Sequence, residues 1–260
     1  MSEISKTISD TAYQAYEKKL LKEIKNGGNL PTHVAVIMDG NRRFARQLGL
    51  EKESGHTKGK EKLEDMLDWC IEIGIKILTV YAFSTENFKR DSKEVQHLMN
   101  LFKSEFKRAA DDERIHENEI RINAIGNIEK LPKEVKESIH YAEEQTKDYD
   151  DHFFNVAVGY GGREEIIQGI RKIAKDVKEG RLDIKDINEN VFAESLYTSN
   201  FPDPDLILRT SGEERISNFL LWQSAYSELY FTDVYWPGFR KIDFLRAIRS
   251  YQNRHRRKGE

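Results

Sequence analysis

An acid stands beside two arginines in the segment Asp39, Gly40, Asn41, Arg42, Arg43, directly after the apolar run Val34–Met38. Glycine lets a backbone approach a ligand closely, amides at a helix start hold anions, and arginine meets phosphate through parallel N–H donors. Asp39 would be out of place in a pure anion site. It fits once Mg²⁺ is included, because that ion binds one or two carboxylates together with substrate phosphates. The same residues also suit a capped helix start with surface arginines, and their types leave both readings open. Arg209 to Ser217 repeats the mixture, with Arg209 and Arg215 for phosphate and Ser211, Gly212 and Ser217 as hydrogen-bond donors. Glu213 and Glu214 there suit either a metal or a helix cap. A second cradle of the same composition weakens the reading of either one as a mere turn.

A third polar segment, Ser84, Thr85, Glu86, Asn87, Phe88 and Arg90, offers hydroxyls, an amide and an arginine suited to a diphosphate. His56, in GHTKG, is able to donate to phosphate or move a proton, although a lone histidine serves equally as a structural residue. Gly159–Glu165 lacks the third glycine and the downstream acid of a dinucleotide loop and reads as tight strand-to-helix packing. GHTKGKE is not a P-loop, and HExxH, paired CxxC and G-x-S-x-G are absent. The basic run NRHRRKG lacks an aromatic-interleaved basic face, so nucleic acid is not an expected partner.

These segments need strands and helices to bring them together. Short apolar runs predict strands at Val34–Met38, Ile77–Phe83, Ile120–Ile125, Phe153–Val158, Asp205–Leu208 and Glu228–Phe231. Helical spacing joins Leu63, Met66, Leu67, Cys70 and Ile71, and again Val95, Leu98, Met99, Phe102 and Phe106. Further helices are expected over 133–147, 164–178 and 242–256. Strands alternating with helices predict a mainly parallel α/β sheet with helices outside. Ligands of such sheets sit beyond the carboxyl ends of the strands, and the polar segments follow the first, second, fourth and fifth strands.

At the front, Ile4, Ile8, Ala12, Tyr16, Leu20 and Ile24 space an amphipathic helix within residues 1–30, ended by Gly27, Gly28 and Pro31. Packing on the domain of residues 31–260 is the expected role. A peripheral membrane helix is the alternative, opposed by acids among the lysines. The 260 residues suit one large domain, with 38% hydrophobic residues for its core. A net charge of -3 makes any basic site local. Cys70 is the one cysteine, so no internal disulfide forms and a cytoplasmic setting is expected. The start is polar, unlike a secretory signal, and no apolar run approaches the roughly 20 residues of a membrane span.

Taken together, HVAVIMDGNRRFA, GHTKG, LTVYAFSTENFKR, NVAVGYGGREEI, LILRTSGEERISNFLLWQSAYSELYF and VYWPGF resemble the cis-prenyltransferase family, in the family's order, from about His33 to Phe239. The resemblance implies a single α/β domain with a six-strand, mostly parallel sheet, an apolar tunnel and a homodimer. It implies Mg²⁺-dependent condensation of isopentenyl diphosphate with an allylic prenyl diphosphate, giving a cis polyprenyl diphosphate for lipid carrier synthesis. Asp39 matches the Mg²⁺-binding catalytic acid, and Gly40, Asn41, Arg42 and Arg43 the first diphosphate site. Phe44 and Lys52 stand where bacterial relatives carry tryptophan and arginine. His56 matches the histidine at the allylic site. Ser84, Thr85, Glu86, Asn87, Phe88 and Arg90 match the loop over the substrates, with Asn87 a candidate for proton transfer. Arg209, Arg215, Ile216 and Ser217 match the isopentenyl diphosphate site, and Glu228 a second acidic Mg²⁺ position. Arg257 and Gly259 match a C-terminal R-x-G that reaches the partner subunit's site. Arg42 replaces the glycine of bacterial MDGNGR, an archaeal and eukaryotic trait, and Glu214 replaces a histidine able to help bind metal.

The growing chain needs apolar lining, since each buried CH₂ contributes roughly 0.8 kcal/mol. Leu98, Leu101 and Phe102 are tunnel candidates or ordinary core. Two other readings stand beside the enzyme: a non-catalytic partner subunit, opposed by the intact Asp39, Asn41, Arg43, Arg209 and Arg215, and a phosphate-binding nucleic-acid protein, opposed by net charge. Starter length, product length and the regiochemistry of coupling are not expected to be legible. Product release leaves room for peripheral membrane contact.

Overall fold

The computed structural model describes residues 3–254, apart from the side chains of residues 3–12 and 53. Six strands form one sheet: β1 (His33–Ile37), β2 (Ile77–Ser84), β3 (Ile120–Ile125), β4 (His152–Tyr160), β5 (Leu206–Arg209) and β6 (Glu228–Phe231). Their order is β3-β4-β2-β1-β5-β6, and every neighbouring pair is parallel. The helices are α1 (Glu3–Asn26), α2 (Asn41–Gln47), α3 (Lys52–Ile73), α4 (Ser92–Ala110), α5 (Glu113–Glu117), α6 (Lys133–Thr146), α7 (Gly162–Lys178), α8 (Glu189–Ala193) and α9 (Lys241–Gln252).

Side chains alternate across each strand, and both faces of the sheet are covered. Val34 and Val36 of β1 join Leu206 and Leu208 of β5 in the larger core. Ala35, Ile37 and Ile207 face the other way, onto Phe219 and Leu220. Double coverage explains why these strands read as continuous apolar runs. The larger core also takes Met66 and Cys70 from α3, Leu98 and Phe106 from α4, and Phe244 and Ile248 from α9.

The register sets the ends of the sheet. Ile37 pairs with Arg209 and with Tyr81, so the segments following β1, β2 and β5 leave the same edge side by side. The chain moves outward from β1 to β2 on one side and returns to β5 on the other. Such a reversal opens a crevice at the strand ends.

The N-terminal helix lies on the domain. Leu20 and Ile24 are buried, Gln252 of α9 donates to the Ile24 carbonyl at 3.0 Å, and Arg249 pairs with Glu23 at 3.3 Å. Among the described residues no helix is long and apolar enough to cross a membrane.

Candidate active site

β1 ends at Ile37, and Gly40 then turns the chain with φ +103°. A Cβ at Gly40 would stand 2.8 Å from the Tyr235 ring and 3.1 Å from Ser211 Cβ, so only glycine fits this turn. α2 starts immediately after it. Thr210, following β5, fastens the two loops: its Oγ1 accepts from the Asp39 amide at 3.0 Å and donates to the Asp39 carbonyl at 2.7 Å.

Two arginines hold the Asp39 carboxylate. Arg209 Nη2 donates to it at 2.7 Å, and Arg43 Nη2 lies 3.2 Å away. Burial pushes this carboxyl up, but the arginines outweigh burial and hold it below the usual carboxylate range. Arg209 is almost fully buried, and Nη1 donates to Ser217 Oγ and the Arg215 carbonyl. Arg43 also donates to Ser211 Oγ at 2.6 Å and Glu213 Oε1 at 2.9 Å. Glu213 takes a second donor from the mostly exposed Arg215. It is therefore a bridge between the two arginine segments, not a helix cap.

The third segment closes the opposite wall. Ser84 and Asn87 cap each other's backbone, with Asn87 Oδ1 accepting from the Ser84 amide at 3.1 Å. Glu86 accepts from Asn218 Nδ2 at 3.0 Å, which ties the loop after β2 to the loop after β5. Arg90 donates to Glu94 Oε1 at 3.0 Å, with Arg42 and His56 at 3.6 and 3.5 Å from the same carboxylate. Burial holds the His56 imidazole below its ordinary value, against the pull of Glu94, so it is neutral at pH 7.

These groups surround a cavity of about 1110 Å³, lined by Asp39 to Arg43, Lys52, His56, Ser84, Glu86, Asn87, Arg90, Arg209, Arg215 and Ser217. A second cavity of about 170 Å³ adjoins it through Met38, Asn41, His56, Ala82 and Leu98. This one is apolar, walled by Leu63, Leu67, Leu101, Phe102, Phe106, Ala109 and Ile122, and ends among the paired charges of Glu64, Arg108, Asp112 and Arg114. Cations from several loops thus crowd one polar chamber that borders an apolar one. That arrangement suits an anionic headgroup with a hydrocarbon tail.

Comparison with known proteins decides the family. Residues 37–259 match the prenyltransferase family model described as undecaprenyl diphosphate synthase. The chain belongs to the cis-prenyltransferase family. It is 56% identical over 260 residues, all of both chains, to the tritrans,polycis-undecaprenyl-diphosphate synthase (geranylgeranyl-diphosphate specific) of Picrophilus torridus. It is 55% identical to the synthase of the same name from Methanocaldococcus jannaschii, over 94% of this chain and 88% of that one. Among solved structures, lavandulyl diphosphate synthase from Lavandula x intermedia in complex with dimethylallyl diphosphate superposes with TM-score 0.84 at 38% identity, covering 89% of this chain and 99% of that one.

Not every residue expected at the substrates of this prenyltransferase reaches the cavity. Phe44 packs beside Gly238, and Phe88 sits edge-on to Phe83 at 4.8 Å. Thr85 is pressed against Gly161, and Ile216 joins the smaller core. All four are in the matching motifs but outside the lining of the polar chamber. Glu228 pairs in register with Leu206, the first residue of β5, and forms an ion pair with Arg254. That is the opposite end of the sheet from Asp39, so within one chain the two carboxylates do not meet. Arg257 and Gly259 lie outside the described residues. GYGGREE is tight strand-to-helix packing, with the Gly162 amide donating to Asn218 at 2.7 Å.

Glu94, Asn218 and Tyr81 were not singled out from the sequence. Glu94 carried a readable signal, four residues after Arg90 at a helix start. Asn218 is in the left-handed region at φ +64°, with Ser211, Ser217 and Leu220 likewise at 78°, 48° and 44°. Such backbone is costly for non-glycine residues and gathers at functional loops.

Proposed function

We propose that this prenyltransferase couples an allylic prenyl diphosphate to isopentenyl diphosphate by repeated cis additions, with Mg²⁺, to supply a polyprenyl lipid carrier. The observation that carries the reading is the pairing of two arginine clusters across one chamber that adjoins an apolar cavity. Geranylgeranyl diphosphate is the favoured starter, from the names of relatives more than half identical over nearly the whole chain.

Arg42, Arg43, Arg90 and the amides at the start of α2 would receive the allylic diphosphate, its tail entering past Leu98. Arg215 and Ser217 would hold isopentenyl diphosphate, while Arg209 supports them from beneath by its bonds to Ser217 and the Arg215 carbonyl. Holding both substrates makes the attack effectively intramolecular. The allylic C–O bond breaks, its electron pair leaving on diphosphate. The isopentenyl double bond supplies the electrons of the new C–C bond, and the adjacent carbon loses a proton. An amide is too weak a base to keep that proton, so Asn87 would only relay it, and the departing diphosphate is the acceptor.

Among the described residues no group of three or more His, Cys, Asp or Glu is placed to hold a metal. The donor chemistry suits an ion completed by substrate, since Asp39 offers one carboxylate beside diphosphate-binding arginines. Mg²⁺ held by Asp39 and diphosphate would neutralise charge on the leaving group. Exposed Ile167 and Ile170 on α7 and Leu229 on the edge strand β6 support pairing as a homodimer. The lone, buried Cys70 supports a cytoplasmic setting.

The test is incubation with labelled isopentenyl diphosphate, geranylgeranyl diphosphate and Mg²⁺. Butanol-extractable label is expected, lost on adding EDTA and restored by excess Mg²⁺. No label with any of several starters, alone or with a homologous subunit, defeats the reading; label only with the subunit favours a non-catalytic partner. The likeness to lavandulyl diphosphate synthase gives a second reading, coupling in another pattern, which mass spectrometry and chromatography of the product distinguish.

A further inference from the structure

We propose that Glu94 is a positioning residue that sets Arg42, Arg90 and His56 to receive one diphosphate group; this rests on the prenyl-transfer reading of the chamber. Glu94 is the third residue of α4, and its amide is already capped by Asp91 Oδ1 at 3.3 Å. Its carboxylate meets side chains of other segments instead of the helix start. It turns inward to a side-chain exposure of 6%. An ionised carboxylate that deep persists only among compensating charges.

Two arginines supply those charges and a neutral imidazole completes the group, each from a different part of the chain. Arg42 belongs to α2, His56 to α3, and Arg90 to the turn preceding α4. Arg90 Nη1 donates at 3.0 Å, Arg42 Nη1 lies at 3.6 Å, and His56 Nε2 lies at 3.5 Å. All three line the chamber, and Glu94 does not. It thus stands behind the cations. A carboxylate in front of them would repel a diphosphate; behind them it fixes their spacing. Arg42 and Arg90 repel each other, and that repulsion adds to burial in lowering the Arg90 pKa. Glu94 is the counter-charge that lets both face one point. Each guanidinium has five N–H donors, and each approaches Glu94 through Nη1.

The isopentenyl half of the chamber is organised without Glu94. Arg209 is held by Asp39 and Ser217, and Arg215 by Glu213. A defect at Glu94 should therefore strike one substrate and spare the other. A residue needed only for folding would not divide them.

The test is Glu94→Gln, which keeps the shape and an acceptor for Arg90 and removes the charge. The KM for the allylic diphosphate is expected to rise about ten-fold, with that for isopentenyl diphosphate unchanged and kcat less affected. Calorimetric titration with inorganic diphosphate should weaken by a similar factor. Equal changes in both KM values, or unchanged diphosphate binding in the variant, overturn the inference alone. A wild-type chain that binds no inorganic diphosphate overturns the site reading and the inference with it. Should Glu94→Gln not fold, Glu94→Asp carries the same test. It keeps the charge but withdraws it by one methylene; a smaller split between the two KM values is expected, and no split overturns the inference.

Discussion

Asp39 stands between two demands. In the proposed metal role it must face the chamber, and to stay ionised at half burial it needs the arginines. Asp39→Ala is expected to lower kcat by about 10²–10³, the range for losing one electrostatic group at a reacting centre. The fold should survive, because Arg209 keeps Ser217 Oγ and the Arg215 carbonyl. A stability loss of about 1–3 kcal/mol follows from leaving the buried guanidinium short of one acceptor. Turnover with labelled substrate and thermal denaturation check the two parts, and near-normal turnover would remove Asp39 from the chemistry. At this scale the sequence was informative where chemistry lies in adjacent residues, as in DGNRR. It was silent where the chemistry needs a third dimension. Nothing in RDSKEVQ says that Glu94 turns inward, and nothing in RTSGEER says that Arg209 faces Asp39 instead of solvent.

The packing of α2 against α3 fixes the height of the loop that follows β1. Two glycines of α3 permit it. A Cβ on Gly55 would lie 2.3 Å from the Asn41 carbonyl oxygen, and one on Gly59 would lie 2.5 Å from Asn41 Oδ1. Replacing glycine by alanine inside a helix ordinarily gains about 1 kcal/mol. Here the clash opposes it, and overpacking costs about 1–3 kcal/mol. At Gly55 the obstacle is backbone, so Gly55→Ala should destabilise the protein and lower the melting temperature. At Gly59 the obstacle is a side chain. Gly59→Ala should change stability little and push Asn41 toward the chamber, raising the allylic KM. A Gly55→Ala variant as stable as wild type would show that the helices are free to part. The central strands were legible because two-sided burial writes unbroken runs such as HVAVI and NVAV. The left-handed run near Ser217 was not, because serine and leucine give no local sign of φ above zero and asparagine alone gives only a weak one.

Two properties belong to the whole molecule. The first is acid sensitivity. His33, at the start of β1, is buried; its Nδ1 donates to the Pro202 carbonyl and its Nε2 accepts from Thr79 Oγ1, each at 2.7 Å. That carbonyl only accepts, so one proton sits on Nδ1, and burial, which disfavours the charged ring, leaves Nε2 bare at pH 7. Burial lowers its pKa to about 4. Between pH 4 and the ordinary 6.5 the unfolded chain binds the extra proton and the folded one does not. Stability is thus full above pH 6.5 and falls toward pH 4, by on the order of 3 kcal/mol from this group. His33→Gln should flatten that part of a stability-against-pH curve measured by denaturant unfolding; an unchanged slope would assign it to other groups. The second property is product length. Leu98 stands where the polar and apolar cavities meet, and Ala109 lines the apolar one eleven residues further along α4. At 1.5 Å per residue that is roughly 16 Å of wall. Ala109→Phe would fill the far part of this space without touching either arginine cluster. The first coupling should keep its rate, while longer products give way to shorter ones in chromatography of the extracted prenyl diphosphates. If the distribution stays the same while the first coupling is unimpaired, the growing chain runs along some other surface, and the cavity between α3, α4 and the sheet is not its path.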